Sequence, residues 1–417
     1  MHPTRRQQPF SLSSFANLYL QAALALLLAF FHFPVIVYLL FALDLALPLS
    51  LIYSLPAFLL LLWRLVLLIS QELPLSNPAL RLVWASLLAI SARAFLGYFE
   101  MRPGQHAEYL RSLPLTIAYP WLLVLGGEAL AYKYRAARSL LLLPLTLTVL
   151  VVLSSVAANL QQYGRFHLYF HDYESGVSYN YHWLGDTLAI LSLLLSHRLL
   201  AQHRLGLWIA FTLSTLMLLL LTLSRTSFIA FLASVVAMPF LHRFDHAHPG
   251  RLTTTRYLLA ILLLLVATAA ALIAFSDLLG EVITRISSLL SGDDPSLQER
   301  RRLMGLFWKH LAAYGIFGGY LYELNEEGKG LYVHNMLSYW LEYGLLPFAM
   351  FLLALLASTR TSFKHLPHPV AGSAVIVLIF VLIALAARAY VWPFVWFAMA
   401  YAAAVRPWVN HNNRPPR

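Results

Sequence analysis

The chain has 417 residues, of which 60% are hydrophobic and only 11% charged, whereas soluble domains run near 25% charged. That excludes a soluble cytosolic enzyme, a nucleic-acid-binding domain and a disordered chain. About 250 residues are hydrophobic and a spanning helix uses about 20, so the composition predicts an all-α polytopic membrane protein with about 12 transmembrane helices. Residues 1–417 then form a single integral membrane domain. The net charge of +11 is read as Lys and Arg gathered in cytoplasmic loops, not as a nucleic-acid footprint. With no cysteine, disulfides, thiol catalysis and zinc–thiolate or iron–sulfur sites are excluded.

The N-terminus, MHPTRRQQPF, is polar and basic. A long apolar stretch follows and no small-residue cleavage site stands out, so it reads as a signal anchor. Polar breaks divide the rest into spans near 14–43, 51–70, 79–98, 113–132, 138–160, 182–200, 205–222, 225–241, 256–276, 334–357, 370–387 and 389–406. If these alternate, the basic turns at residues 5–6, 133–138, 197–204, 242–256 and 360–364 and the C-terminus share one side, which is then the cytoplasm. The periplasmic side carries the two longest loops. The smaller covers 161–181 and contains Arg165; the larger covers 277–333. The same side holds residues 101–111, the Ser224-Arg225-Thr226 turn and Arg388.

Arg225 sits at a turn between two apolar spans. It can snorkel to headgroups, or it can bind an anion beside a helix N-terminus whose free amides favour phosphate. Arg300, Arg301 and Arg302 precede a helical pattern, with Leu303, Leu306, Phe307 and Leu311 on one face and Asp293, Asp294 and Pro295 at its start. This segment reads as an amphipathic helix on the membrane–water interface. Neighbours on a helix differ by about 100°, so the three Arg cannot all face one site.

His334 opens the next span. It can belong to an aromatic belt with Tyr332, Tyr339 and Trp340, or it can act as a general base at neutral pH. Arg93 lies inside an apolar span, with Glu100 or Glu128 as partner. His167, His171, Asp172 and His182 lack fixed ligand spacing, and no metal site is expected.

The larger loop and the span after it resemble the signature region of bacterial O-antigen ligases and O-antigen polymerases, which share a polytopic family with the C-type glycosyltransferase (GT-C) fold. The matching residues are Arg300, Trp308, Gly318-Gly319, His334-Asn335 and Gly344, together with the earlier Ser224-Arg225 turn. They cover about 222–241 and 297–350. The family often has Pro before the Gly stretch, where this chain has Tyr314-Gly315.

The resemblance implies a donor glycan on undecaprenyl diphosphate, held by Arg225 and Arg300 (Arg301 being the alternate), with His334 as general base. Asn335, Arg93, Arg165 and Arg388 are accessory candidates. The implied acceptor is lipid A–core for a ligase, or a second lipid-linked repeat unit for a polymerase. No cofactor is implied. The other partners are membrane lipids, with no nucleic acid, and the location is the bacterial inner membrane with the site facing the periplasm. A polysaccharide or lipid transporter is the reading from a different class. It would place its substrate charges mid-membrane at broken helices.

Overall fold

Every described element is helical, as expected where lipid replaces water and backbone amides must pair within their own segment. The computed structural model describes residues 20, 24–31, 49–70, 75, 77–137, 139–164, 182–242, 254–274, 276, 280, 284, 287, 288, 291, 295–328, 333–366 and 368–405. The 14–43 span lies largely outside these, as do Arg165 and the rest of 165–181. Residues 24–31 are helical, and Ala25, Leu26, Ala29 and Phe30 within them are buried.

The helices in chain order begin with α1 (Leu49–Ile69), α2 (Pro78–Glu100) and α3 (His106–Leu113). A π-helical turn at Pro114–Ala118 leads into α4 (Tyr119–Ala137), at a proline that has no amide to donate. Then come α5 (Leu142–Tyr163), α6 (His182–Ala201), α7 (Leu205–Leu221), α8 (Arg225–His242) and α9 (Thr254–Ala274). The loop region contributes α10 (Pro295–Tyr314), α11 (Glu323–Glu326) and α12 (Ser338–Tyr343). The chain closes with α13 (Leu345–Lys364), α14 (Pro369–Ala384) and α15 (Phe394–Ala403). The side chain of Asn77 caps α2 by accepting from the Ala79 amide at 2.9 Å, with Pro78 at the first helical position.

The centre of the bundle is α15, every residue of which is buried. It packs chiefly on α4, while α13 packs on α2 and α14 on α8. α6 packs between α7 and α8.

The expectation of about 12 spans is overturned. Five helices among the described residues are long and apolar enough to cross a membrane: Pro78–Glu100, His106–Tyr132, Leu142–Gln161, His182–Ala201 and Leu345–Lys364. Other apolar helices are shorter, among them Leu205–Leu221, Arg225–Leu241, Val370–Ala384 and the 10-residue Phe394–Ala403. At 1.5 Å per residue a 10-residue helix is about 15 Å long, half a bilayer core of about 30 Å. The reason is that apolar residues serve two purposes here. α15 is enclosed by protein and spends its apolar side chains on the core, so composition overcounts lipid-crossing helices.

The expected span at 334–357 is divided. Residues around His334 form turns, α12 is a single short helix, and Gly344 separates it from α13. There the chain segments around Gly318 and Gly344 meet. The Gly319 amide donates to the Leu341 carbonyl at 2.8 Å, the Leu345 amide to the Ile316 carbonyl at 3.1 Å and the Trp340 indole to the Gly315 carbonyl at 2.7 Å.

Candidate functional site

α10 carries Arg300, and its position is fixed by apolar packing and by polar pairs. Phe307 packs with Tyr322, Val333 and Leu341 in a separate apolar cluster. Lys309 and His310 both bond Glu327, and the Tyr314 hydroxyl donates to Glu326 at 2.8 Å. The Lys309 and then the His310 hydrogen bonds hold Glu327 below the usual carboxylate range, so the pairing favours the charged form. Arg302 forks onto Glu299 at 2.8 and 2.6 Å, and that bond holds Glu299 low, with a smaller contribution from His334 nearby. Arg301 is exposed and Arg300 half-buried.

The His334 turn is tied to the segment between α14 and α15 through one hydroxyl. Ser338 donates to the Asn335 carbonyl at 2.7 Å and accepts from the Tyr390 amide at 2.7 Å. The Asn335 side chain accepts from the Leu337 amide at 2.8 Å. Asn335 therefore shapes the turn that presents His334.

These constraints bring Arg300, His334 and Arg388 onto the wall of one cavity of about 300 Å³, with His182, Glu299 and Trp392 beside them. His182 is the first residue of a helix long enough to cross a membrane, so the cavity lies at a span end. Two of the Arg residues singled out in the sequence thus meet the His. Arg225 and Arg301 are not among the described residues that line the cavity.

Arg225 opens α8 half-buried, directly after a tight turn in which Leu223 has φ 55°. Its neighbour Ser224 reaches the wall, accepting from Arg388 Nη2 at 3.2 Å and pairing with His182 Nδ1 at 3.3 Å. Gly185 allows α6 this close: a Cβ there would lie 3.1 Å from both the Ser224 Cβ and the Thr222 hydroxyl.

Behind the wall is a residue that sequence reasoning missed. Asp186 is fully buried and receives Arg388 Nε at 3.0 Å and Nη2 at 3.1 Å. It also accepts from the Trp392 indole at 2.9 Å and from the Ser227 hydroxyl. A signal was present, since a carboxylate within the apolar run HWLGDTLAILSLLLS is costly unless partnered. The same argument had singled out Arg93.

Arg93 itself does not line the cavity. It bonds Glu100 at 2.7 Å and the carbonyls of Phe317 and Gly318 at 2.6 and 2.9 Å, so it pins the Gly318 turn. A third buried group supports the same region. Glu342 accepts from the Leu321 amide at 2.7 Å, and Tyr390 donates to Glu323 at 3.3 Å. Burial, and then the neighbouring Glu323 carboxyl, push Glu342 well above the usual carboxylate range, and burial raises Glu323 as well. The pair therefore holds a proton more readily than ordinary carboxyl groups do.

Among the described residues no three His, Asp or Glu side chains gather to hold a metal. His167, His171 and Asp172 lie outside them.

The chain matches no protein-family model, no curated protein and no solved structure. The chemistry of the cavity is therefore argued from its own residues. Two guanidinium groups suit an anion with several oxygens, and an imidazole can take up a proton.

Proposed function

We propose that the chain is a membrane glycosyltransferase acting as an O-antigen ligase. It moves a glycan from undecaprenyl diphosphate to a hydroxyl of lipid A–core at the periplasmic face of the bacterial inner membrane. The observation that carries the reading is the meeting of Arg300, His334 and Arg388 on one cavity at the end of a membrane-length helix. A lipid diphosphate needs cations at the membrane boundary, and a cavity of about 300 Å³, at the small end of the usual range for ligand pockets, has room for the diphosphate group.

Arg300 and Arg388 bind the diphosphate oxygens, and Arg225 acts from beside Ser224. His334 takes the proton from the acceptor hydroxyl as that oxygen attacks the anomeric carbon. The new C–O bond forms while the bond from the anomeric carbon to the diphosphate oxygen breaks. The electron pair leaves with the diphosphate, whose developing charge the guanidinium groups stabilise. A diphosphate is already an activated leaving group, so the step calls on no nucleotide sugar and no redox cofactor.

The test supplies purified protein with lipid-linked glycan, with and without lipid A–core. Transfer that occurs only with lipid A–core supports the ligase. Chain growth on the lipid diphosphate alone would make the protein a polymerase of repeat units. Movement of the lipid-linked glycan across vesicles with no transfer would make it a transporter. Orientation is tested separately on the cysteine-free chain. Ser291→Cys should react with a membrane-impermeant thiol reagent on spheroplasts, and Lys364→Cys, at the far end of α13, should not. The reverse pattern would place the cavity on the cytoplasmic side and end the proposal.

A further inference from the structure

We infer that Asp186 is a positioning residue that orients Arg388 and cancels its charge, and so sets how tightly the cavity holds a diphosphate. The inference rests on the diphosphate reading of the cavity and concerns a residue that does not itself line it.

The geometry is a side-on pair. Nε and Nη2 of Arg388 face the two oxygens of Asp186, and Nη2 also reaches Ser224 and Ser227 at 3.2 and 3.3 Å. This leaves Nη1, which bonds no described residue, as the edge that Arg388 presents to the cavity it lines. All the bonds made by Asp186 are accepted ones, and its side chain is completely enclosed, as suits a carboxylate whose charge is matched by its partner.

Arg388 therefore offers an oxyanion two fixed N–H donors but little net charge. Glu299 is likewise matched by Arg302. A leaving diphosphate is then stabilised by directed hydrogen bonds, without the excess positive charge that would retain it after transfer.

The experiment measures binding of inorganic pyrophosphate to the full chain in nanodiscs of zwitterionic lipid, by calorimetry. Four proteins are compared: wild type, Arg388→Gln, Asp186→Asn and the double variant. One uncompensated charge within a few ångströms of the ligand is worth about tenfold in affinity. Asp186→Asn should bind about tenfold tighter than wild type, and Arg388→Gln about tenfold weaker. The double variant, neutral again, should return to within about threefold of wild type.

A merely structural Asp186 would give the opposite sign, because loosening the wall weakens binding. If Asp186→Asn alone does not fold, the contrast between Arg388→Gln and the double variant still decides. A double variant as weak as Arg388→Gln overturns the inference while leaving the diphosphate site standing. Wild-type protein that does not bind pyrophosphate overturns both.

Discussion

Gly318 and Gly344 lie backbone against backbone, with φ of 76° and 86°, and a Cβ on Gly344 would come within 2.6 Å of the Ile316 carbonyl oxygen. Both positions need glycine twice over, for the left-handed backbone and for the close approach. Gly344→Ala should destabilise the protein by about 2–5 kcal/mol, the sum of backbone strain and overpacking. Its thermal unfolding midpoint should fall by several degrees. An unchanged midpoint would mean that the turn carrying Gly318 can move aside without cost.

Arg300 and His334 should separate binding from chemistry. A positioned general base contributes about 10²–10⁴-fold, so His334→Ala should lose that much transfer while still binding pyrophosphate. Arg300→Lys keeps the charge but loses the fork, and it should weaken both binding and turnover. Because Arg225 is not among the described residues lining the cavity, Arg225→Lys should cost less than Arg300→Lys. Full transfer by His334→Ala would remove the imidazole from the mechanism.

Ser338 offers a test of how the cavity is assembled. Its hydroxyl joins the Asn335 carbonyl to the Tyr390 amide, and so joins the His334 turn to the Arg388 segment. Ser338→Ala leaves a buried N–H unpaired, at about 1–3 kcal/mol. It should lower turnover roughly tenfold, since a small misplacement of a reacting group is costly, without changing any residue that lines the cavity. Wild-type turnover in this variant would show that the two segments are held in register by other contacts.

The Glu323–Glu342 pair predicts a pH dependence with a definite sign. Both carboxyl groups are raised in the folded chain, so the native state holds more protons than the unfolded state above the usual carboxylate range. Their contribution to stability is fully present below about pH 4.3, the ordinary Glu value. It is lost as pH rises through the elevated native values. Glu342→Gln keeps an acceptor for the Leu321 amide and sets a neutral group beside Glu323, yet has no proton to lose. Thermal unfolding followed from pH 5 to 9 should show wild type losing stability with rising pH and the Gln variant much less so. Parallel curves would mean that the pair titrates alike in both states.

The sequence by itself determined the helical class and several members of the candidate site. In a chain this apolar, a polar residue beside an apolar run stands out, as His334 and Arg388 did; Arg300 was singled out from three adjacent Arg only by the resemblance, and Asp186, inside such a run, was passed over. Gly318 and Gly344 were also legible, as part of the resemblance to a signature with a glycine stretch and a span interrupted by glycine. Tertiary structure alone decided three things. It showed that α15 is a 10-residue helix walled in by protein, because hydropathy cannot tell a side chain facing lipid from one facing another helix. It brought Ser224 to Arg388 and His182 on the cavity wall, because which residue of a turn meets a site depends on how the helices on either side of it pack. And it paired Asp186 with Arg388: two residues far apart in the chain become partners only when α6 and the break before α15 are packed together, and the cost of burying either charge alone requires that they meet.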